Sequence, residues 1–229
     1  MDDSETRRGQ PATHRALSRA HAERAWHGDP DRFGVAGAIL AGNLCLGWSD
    51  DLFADSGLPP ESLAAARPVF ERMRGQLMGG QFLDIVTSMR PWHDLADDER
   101  IEWARKVIRY KSAKYSIEHP LVIGARVGGA DEATVSALGA YGLDLGHAFQ
   151  LRDDVLGVFG DPAITGKPAG DDLREGKRTV LVARTLELAG ATEAAALVGA
   201  LGTELDEEGV ERVRELMAGS GALAAVEAE

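Results

Sequence analysis

From Asp31 onward apolar side chains return every third or fourth residue, and no stretch alternates with a period of two. That rhythm suits helices and excludes half-buried strands, so the predicted class is all-α. Phe33, Ala36, Leu40, Leu44, Trp48 and Leu52 give a buried helix over 32–55, capped by Asp31 and stopped by Gly57, Pro59 and Pro60. A second helix is predicted from about Glu61 to Met89, bent at Pro68, with Val69, Phe70, Met73, Leu77, Phe82 and Ile85 inside. Further helices are expected over 97–111, over 114–128 with a kink or a short break at Pro120, and over 131–159. Three shorter ones follow at 179–188, 193–201 and 207–217, separated by Gly190 and Gly202 and ended by Gly219. Residues 1–14 read as the closing turns of a helix ended at Gly9 and Pro11. A chain of 229 residues can bury one substantial core, and a single domain is expected.

Charge narrows the class of partner. Against 25 basic residues stand 37 acidic ones, a formal charge of −12, which disfavours a nucleic-acid backbone or an anionic membrane as a general partner. The apolar stretch 35–48 is broken by Gly37, Gly42, Asn43 and Gly47 and is too short to span a bilayer. No secretory leader is evident and the lone Cys45 has no internal disulfide partner, so a reducing cytoplasm is expected, with Cys45 as a core thiol. His14, His27 and His147 lack the second ligand at zinc-like spacing, and neither a phosphate-binding loop nor a nucleophile elbow occurs.

The stretch 149–179, FQLRDDVLGVFGDPAITGKPAGDDLREGKRT, concentrates acids and bases. Gln150, Asp153 and Asp154 fall at i, i+3 and i+4, so one helical face presents an amide and two carboxylates. Hard oxygen donors of this kind suit Mg²⁺, which keeps several waters and is commonly shared with substrate phosphates. Lys167 and Lys177 are placed to hold those phosphates. Three other clusters stand out: Asp2 and Asp3 with Arg7 and Arg8, Gln81 with Asp84, and Lys111 with Ser112. Acids on facing helices with bases at the rim would make a metal-bridged site for an anion in a bundle core. The pairs Asp50/Asp51, Asp97/Asp98 and Asp171/Asp172 read as surface or capping residues.

Together these residues resemble the trans-polyprenyl (isoprenyl) diphosphate synthases, in particular the geranylgeranyl and farnesyl diphosphate synthase group. FQLRDDVLG with GKPAGDD and EGKRT is similar to that family's second aspartate-rich region, GGQFLD to its Gln-x-x-Asp helix, and KSAKYS to its Lys-Thr/Ser pair. MDDSETRRGQPATH resembles the tail of its first aspartate-rich motif. The resemblance implies an isoprenoid synthase-type helical bundle with a central cavity. It also implies Mg²⁺ as cofactor and condensation of isopentenyl diphosphate with an allylic diphosphate. Asp2, Asp153 and Asp154 would then bind metal. Gln150, Lys167 and Lys177 would contact the allylic diphosphate or its metals, Gln81, Asp84, Lys111 and Ser112 would line the cavity, and Arg7 and Arg8 would hold diphosphates. Asp153, Asp154, Lys111 and Lys167 are the expected catalytic residues. A homodimer without nucleic-acid or integral-membrane contact is implied.

The sequence departs from the family pattern at several points. Of the first motif's three aspartates only Asp2 is present, and helices before it and after residue 229 are expected in a complete member. Gly157 stands where many members carry a third aspartate in the second motif, and Asn43 replaces a frequent aspartate. Three readings follow: an elongating prenyltransferase seen without its first helices, with little turnover by the 229-residue chain; a non-catalytic partner of a complete synthase; and a class I terpene cyclase, whose metal motif usually differs.

Overall fold

The computed structural model describes residues 5–7, 9–161 and 170–229, leaving aside the side chains of Arg7 and His93. It is helical, as the apolar rhythm requires, and divides into two compact units, residues 1–63 and 64–229.

The first unit begins with a correction. Residues 5–11 do not finish a helix: β1 (Thr6–Arg7) pairs antiparallel with β2 (Gln10–Pro11), turned at Gly9 with φ +72°. Glycine adopts that left-handed backbone without the steric cost a Cβ brings. Helix α1 (Thr13–Glu23) follows, then α2 (Pro30–Ala54). Asp29, not Asp31, caps α2, its side chain accepting the Asp31 amide at 2.9 Å, and Pro30 occupies the first turn where no backbone donor is needed. Asp31 instead accepts the Ser18 hydroxyl at 2.6 Å and ties α2 to α1. A Cβ on Gly34 would run into the His14 carbonyl, so the absent side chain permits the close helix crossing.

The apolar row on α2 is not buried within this chain. Leu40, Leu44, Trp48 and Leu52 are 55–75% exposed and Cys45 is also exposed, contrary to the expected core helix and core thiol. The α1 crossing uses the small residues Gly34 and Gly37, which leaves the large side chains on the other faces.

The second unit holds most of α3 (Pro60–Met89), α4 (Asp97–Val107), a π-helical segment (Ile108–Glu118) and α5 (His119–Val127). The expected break at Pro120 is absent, because Pro120 sits in the first turn of α5. Within α3, Val69 and Phe70 are buried, but Phe82 and Ile85 are exposed, against expectation. Helix α6 (Glu132–Phe159) is capped by Asp131, whose side chain accepts the Thr134 amide at 2.8 Å. After it come α7 (Asp171–Arg174), α8 (Val180–Leu188), α9 (Ala191–Ala200), α10 (Glu207–Gly219) and α11 (Ala222–Glu227).

The core of this unit surrounds α8, where Val180, Leu181 and Ala183 are fully buried against Leu197, Met217 and Ala222. Val155 and Val158 of α6 and Leu173 of α7 belong to the same cluster. They are sequence neighbours of Asp154 and Asp172, so burial of the valines and leucine fixes where those two carboxylates sit. Among the described residues, no helix is long and apolar enough to cross a membrane.

Candidate metal and diphosphate site

Helix α6 presents Gln150, Asp153 and Asp154 on one face, as their spacing requires. The Gln150 Nε2 donates to Asp154 Oδ1 at 2.7 Å and lies 3.3 Å from Asp153 Oδ2. Asp154 is 6% exposed. Burial pushes its pKa up to about 7; the Gln150 bond opposes the rise, while Asp172 and Asp153 add to it.

A third carboxylate comes from a residue that reads in sequence as a surface or capping group. Asp172 on α7 is buried, and it occupies the space above Gly157, where a Cβ would overlap its carboxylate. The correction has a physical cause: Leu173 is pulled into the core, which turns Asp172 toward α6. Lys177 Nζ donates to Asp172 Oδ1 at 2.5 Å and ion-pairs with Glu175 at 2.8 Å. Burial works against the Lys177 ammonium, but the two carboxylates more than offset it and raise the pKa. Beside it, burial lowers the Arg178 pKa, and its buried Nε has no hydrogen-bond partner among the described residues. Asp172, Glu175 and Arg178 are not singled out from the sequence as site neighbours, although they fall in the GKPAGDD and EGKRT stretches; the chain turns between them at Gly176 with φ +67°.

The other cluster joins α3 to the π segment. Lys111 Nζ donates to Asp84 Oδ2 at 2.5 Å, Ser112 is buried, and Gln81 is half-buried one turn before Asp84. Both are anchored by missing side chains: a Cβ on Gly80 would fall 2.6 Å from the Tyr110 carbonyl oxygen, and one on Gly146 2.6 Å from the Ala113 Cα. Gly146 precedes Gln150 by one helical turn, so α6 crosses the π segment at Ala113, just before its amide-and-carboxylate face begins.

Asp2, Arg8 and Lys167 lie outside the described residues, and of Arg7 only the backbone in β1 is described. Among the described residues no group of three or more acids, histidines or cysteines is arranged to hold a metal. The two carboxylates on α6 are nevertheless hard oxygen donors suited to Mg²⁺, which needs only one or two carboxylates when substrate phosphates and waters complete its shell.

The chain is 34% identical over 226 residues to the geranylfarnesyl diphosphate synthase of Aeropyrum pernix, covering 97% of this chain and 63% of that protein. It is 32% identical over 206 residues to the geranylgeranyl diphosphate synthase of Sulfolobus acidocaldarius, covering 89% of this chain and 56% of that one. Its structure is similar to that of geranylgeranyl pyrophosphate synthase from Corynebacterium glutamicum complexed with isoprenyl diphosphate and magnesium. The TM-score is 0.91 at 46% identity, over 99% of this chain and 62% of that one. The chain thus spans about three-fifths of the length of these relatives. The polyprenyl synthetase family model matches residues 1–218, and the chain belongs to that family.

Proposed function

We propose that this chain carries the diphosphate- and metal-binding half of a prenyltransferase that joins isopentenyl diphosphate to an allylic diphosphate. The observation that carries the reading is the α6 face of Gln150, Asp153 and Asp154 beside the Asp172–Lys177 pair. Asp153 and Asp154 would hold Mg²⁺, with Gln150 orienting Asp154. Magnesium bound there supplies charge neutralisation for a diphosphate leaving group.

The chain's own residues do the rest. Lys177 and Lys111, each now engaged by a carboxylate, exchange that partner for diphosphate oxygens, and Lys167 joins them. The allylic C–O bond breaks heterolytically and its electron pair leaves with the diphosphate. The isopentenyl double bond attacks the resulting cation, and a proton lost to the departing diphosphate regenerates a double bond in a product one isoprene unit longer. The roles of Asp2, Arg7 and Arg8 rest on resemblance to the family. Homodimerisation through exposed apolar residues such as Leu44 and Trp48, and a cytoplasmic location, belong to the same reading.

The test is incubation of the chain with Mg²⁺, labelled isopentenyl diphosphate and an allylic diphosphate. A product longer by one unit, or Mg²⁺-dependent binding of the allylic diphosphate, supports the reading. A chain that does neither contradicts it.

A further inference from the structure

The π segment 108–118 is long for its kind. Such helices occur mostly as single-turn bulges, frequently at functional sites, because the wider i→i+5 turn is less favourable than the α turn. Eleven consecutive residues in this form need support from their surroundings.

One face of α3 supplies that support. Gln76, Gly80 and Asp84 are spaced by four and form a single strip along the helix. At its centre Gly80 lets the Tyr110–Lys111 backbone approach. At one end Asp84 takes the Lys111 ammonium. At the other, Gln76 Oε1 lies 2.8 Å from Nε2 of His119, the residue immediately after the π segment, which is 3% exposed. With an amide oxygen facing it, that nitrogen carries the proton and donates. Between the two ends Lys114 Nζ donates to both oxygens of Glu118 at 2.8 Å, and this ion pair is largely buried. The π segment is therefore clamped at both ends against one strip. Only the Asp84–Lys111 end belongs to the site described above.

We propose that Gln76 and His119 are positioning residues: their hydrogen bond fixes the far end of the π segment, and this holds Lys111 and Ser112 in place against Asp84. The role rests on the proposed reading of Lys111 as a diphosphate ligand. Burial of His119 makes the bond consequential, since removing Gln76 leaves a desolvated imidazole behind. Its effect on ligand is indirect, because neither side chain contacts Asp84 or Lys111 in the described bonds.

Two measurements on the full 229-residue chain test it. The first is hydrogen exchange of amides 108–118 in Gln76→Leu and His119→Leu, with Val180–Leu188 as the internal reference. Exchange about tenfold faster in the π segment alone is expected, as for a local opening unit that has lost one anchor. The second is calorimetric affinity for inorganic diphosphate with Mg²⁺. Gln76→Leu should weaken it by about tenfold, as loss of a residue supporting a ligand does. His119→Gln, which keeps a donor, should bind as the unmodified chain does. In a Lys111→Met background Gln76→Leu should have no further effect. Unchanged exchange in both leucine variants overturns the positioning role, and so does a loss of affinity that persists in full without Lys111. If the unmodified chain binds no Mg²⁺-diphosphate, the functional reading fails, while exchange in 108–118 still decides whether the pair anchors the helix.

Discussion

Lys177 Nζ lies 2.5 Å from Asp172 Oδ1, so the lysine of the EGKRT turn is already neutralised by a buried carboxylate. The arrangement stores a cation beside the α6 aspartates without leaving it unpaired, and on the proposed reading a diphosphate would compete for it with Asp172. Lys111 and Asp84 repeat this arrangement on the other cluster.

Breaking the Lys177–Asp172 pair should cost stability because a buried group loses its nearest counter-charge, with Glu175 left as the lysine's second partner. Asp172→Asn and Lys177→Met are each expected to destabilise the chain by about 2–4 kcal/mol, and the double variant by clearly less than the sum. Denaturant unfolding of the three variants measures this coupling.

Asp154 gives a pH dependence with a definite sign. Its folded pKa of about 7 stands above the unfolded value. Below pH about 4 both states hold the proton and the group has no effect. As pH rises from there to about 7, the unfolded state releases the proton first, so metal-free stability falls, by at most about 1.4 kcal/mol per pH unit from this group. Above pH 7 the contribution levels off. Thermal unfolding in EDTA across this range should show the decline in the unmodified chain and flatten it in Asp154→Asn, which mimics the neutral acid. Diphosphate with Mg²⁺ should restore stability most at high pH, because metal selects the ionised carboxylate.

Glycines on α3 separate two effects of the same substitution. Gly75 has open space where a Cβ would stand and ordinary helical backbone, so Gly75→Ala should stabilise by about 0.5–1 kcal/mol. Gly80 faces the Tyr110–Lys111 backbone, so Gly80→Ala should destabilise by about 1–3 kcal/mol despite its better helix propensity. Paired melting curves distinguish the two.

Gly157→Ala tests what fills the place of the family's third aspartate. A Cβ there meets the Asp172 carboxylate, which must move off Lys177 or push α6 away. A loss of about 1–3 kcal/mol is expected, absent when Asp172 is also replaced by Ala. Urea midpoints of the two single variants and the pair provide the measurement.

Helix class and the α6 face were legible in the sequence because both depend on spacing alone. Gln150, Asp153 and Asp154 share a face in any α-helix. What depends on partners was not legible. The row through Leu40 and Trp48 looks like a core stripe, yet α2 meets α1 through Gly34 and Gly37 and leaves that row exposed. Residues 5–11 look helical from their charges, but Gly9 turns them into a short hairpin. Asp172 looks like a cap until Leu173 is seen in the core, and the π segment leaves no mark because its apolar residues fit an α rhythm equally well.

On the proposed reading the α6 aspartates bind diphosphate through metal. Calorimetric titration of inorganic diphosphate into the unmodified chain and into Asp153→Ala, each with and without Mg²⁺, tests it most directly. Binding by the unmodified chain only with Mg²⁺, and its loss in Asp153→Ala, is the predicted result. Undiminished binding by Asp153→Ala, or equal binding without Mg²⁺, would contradict it.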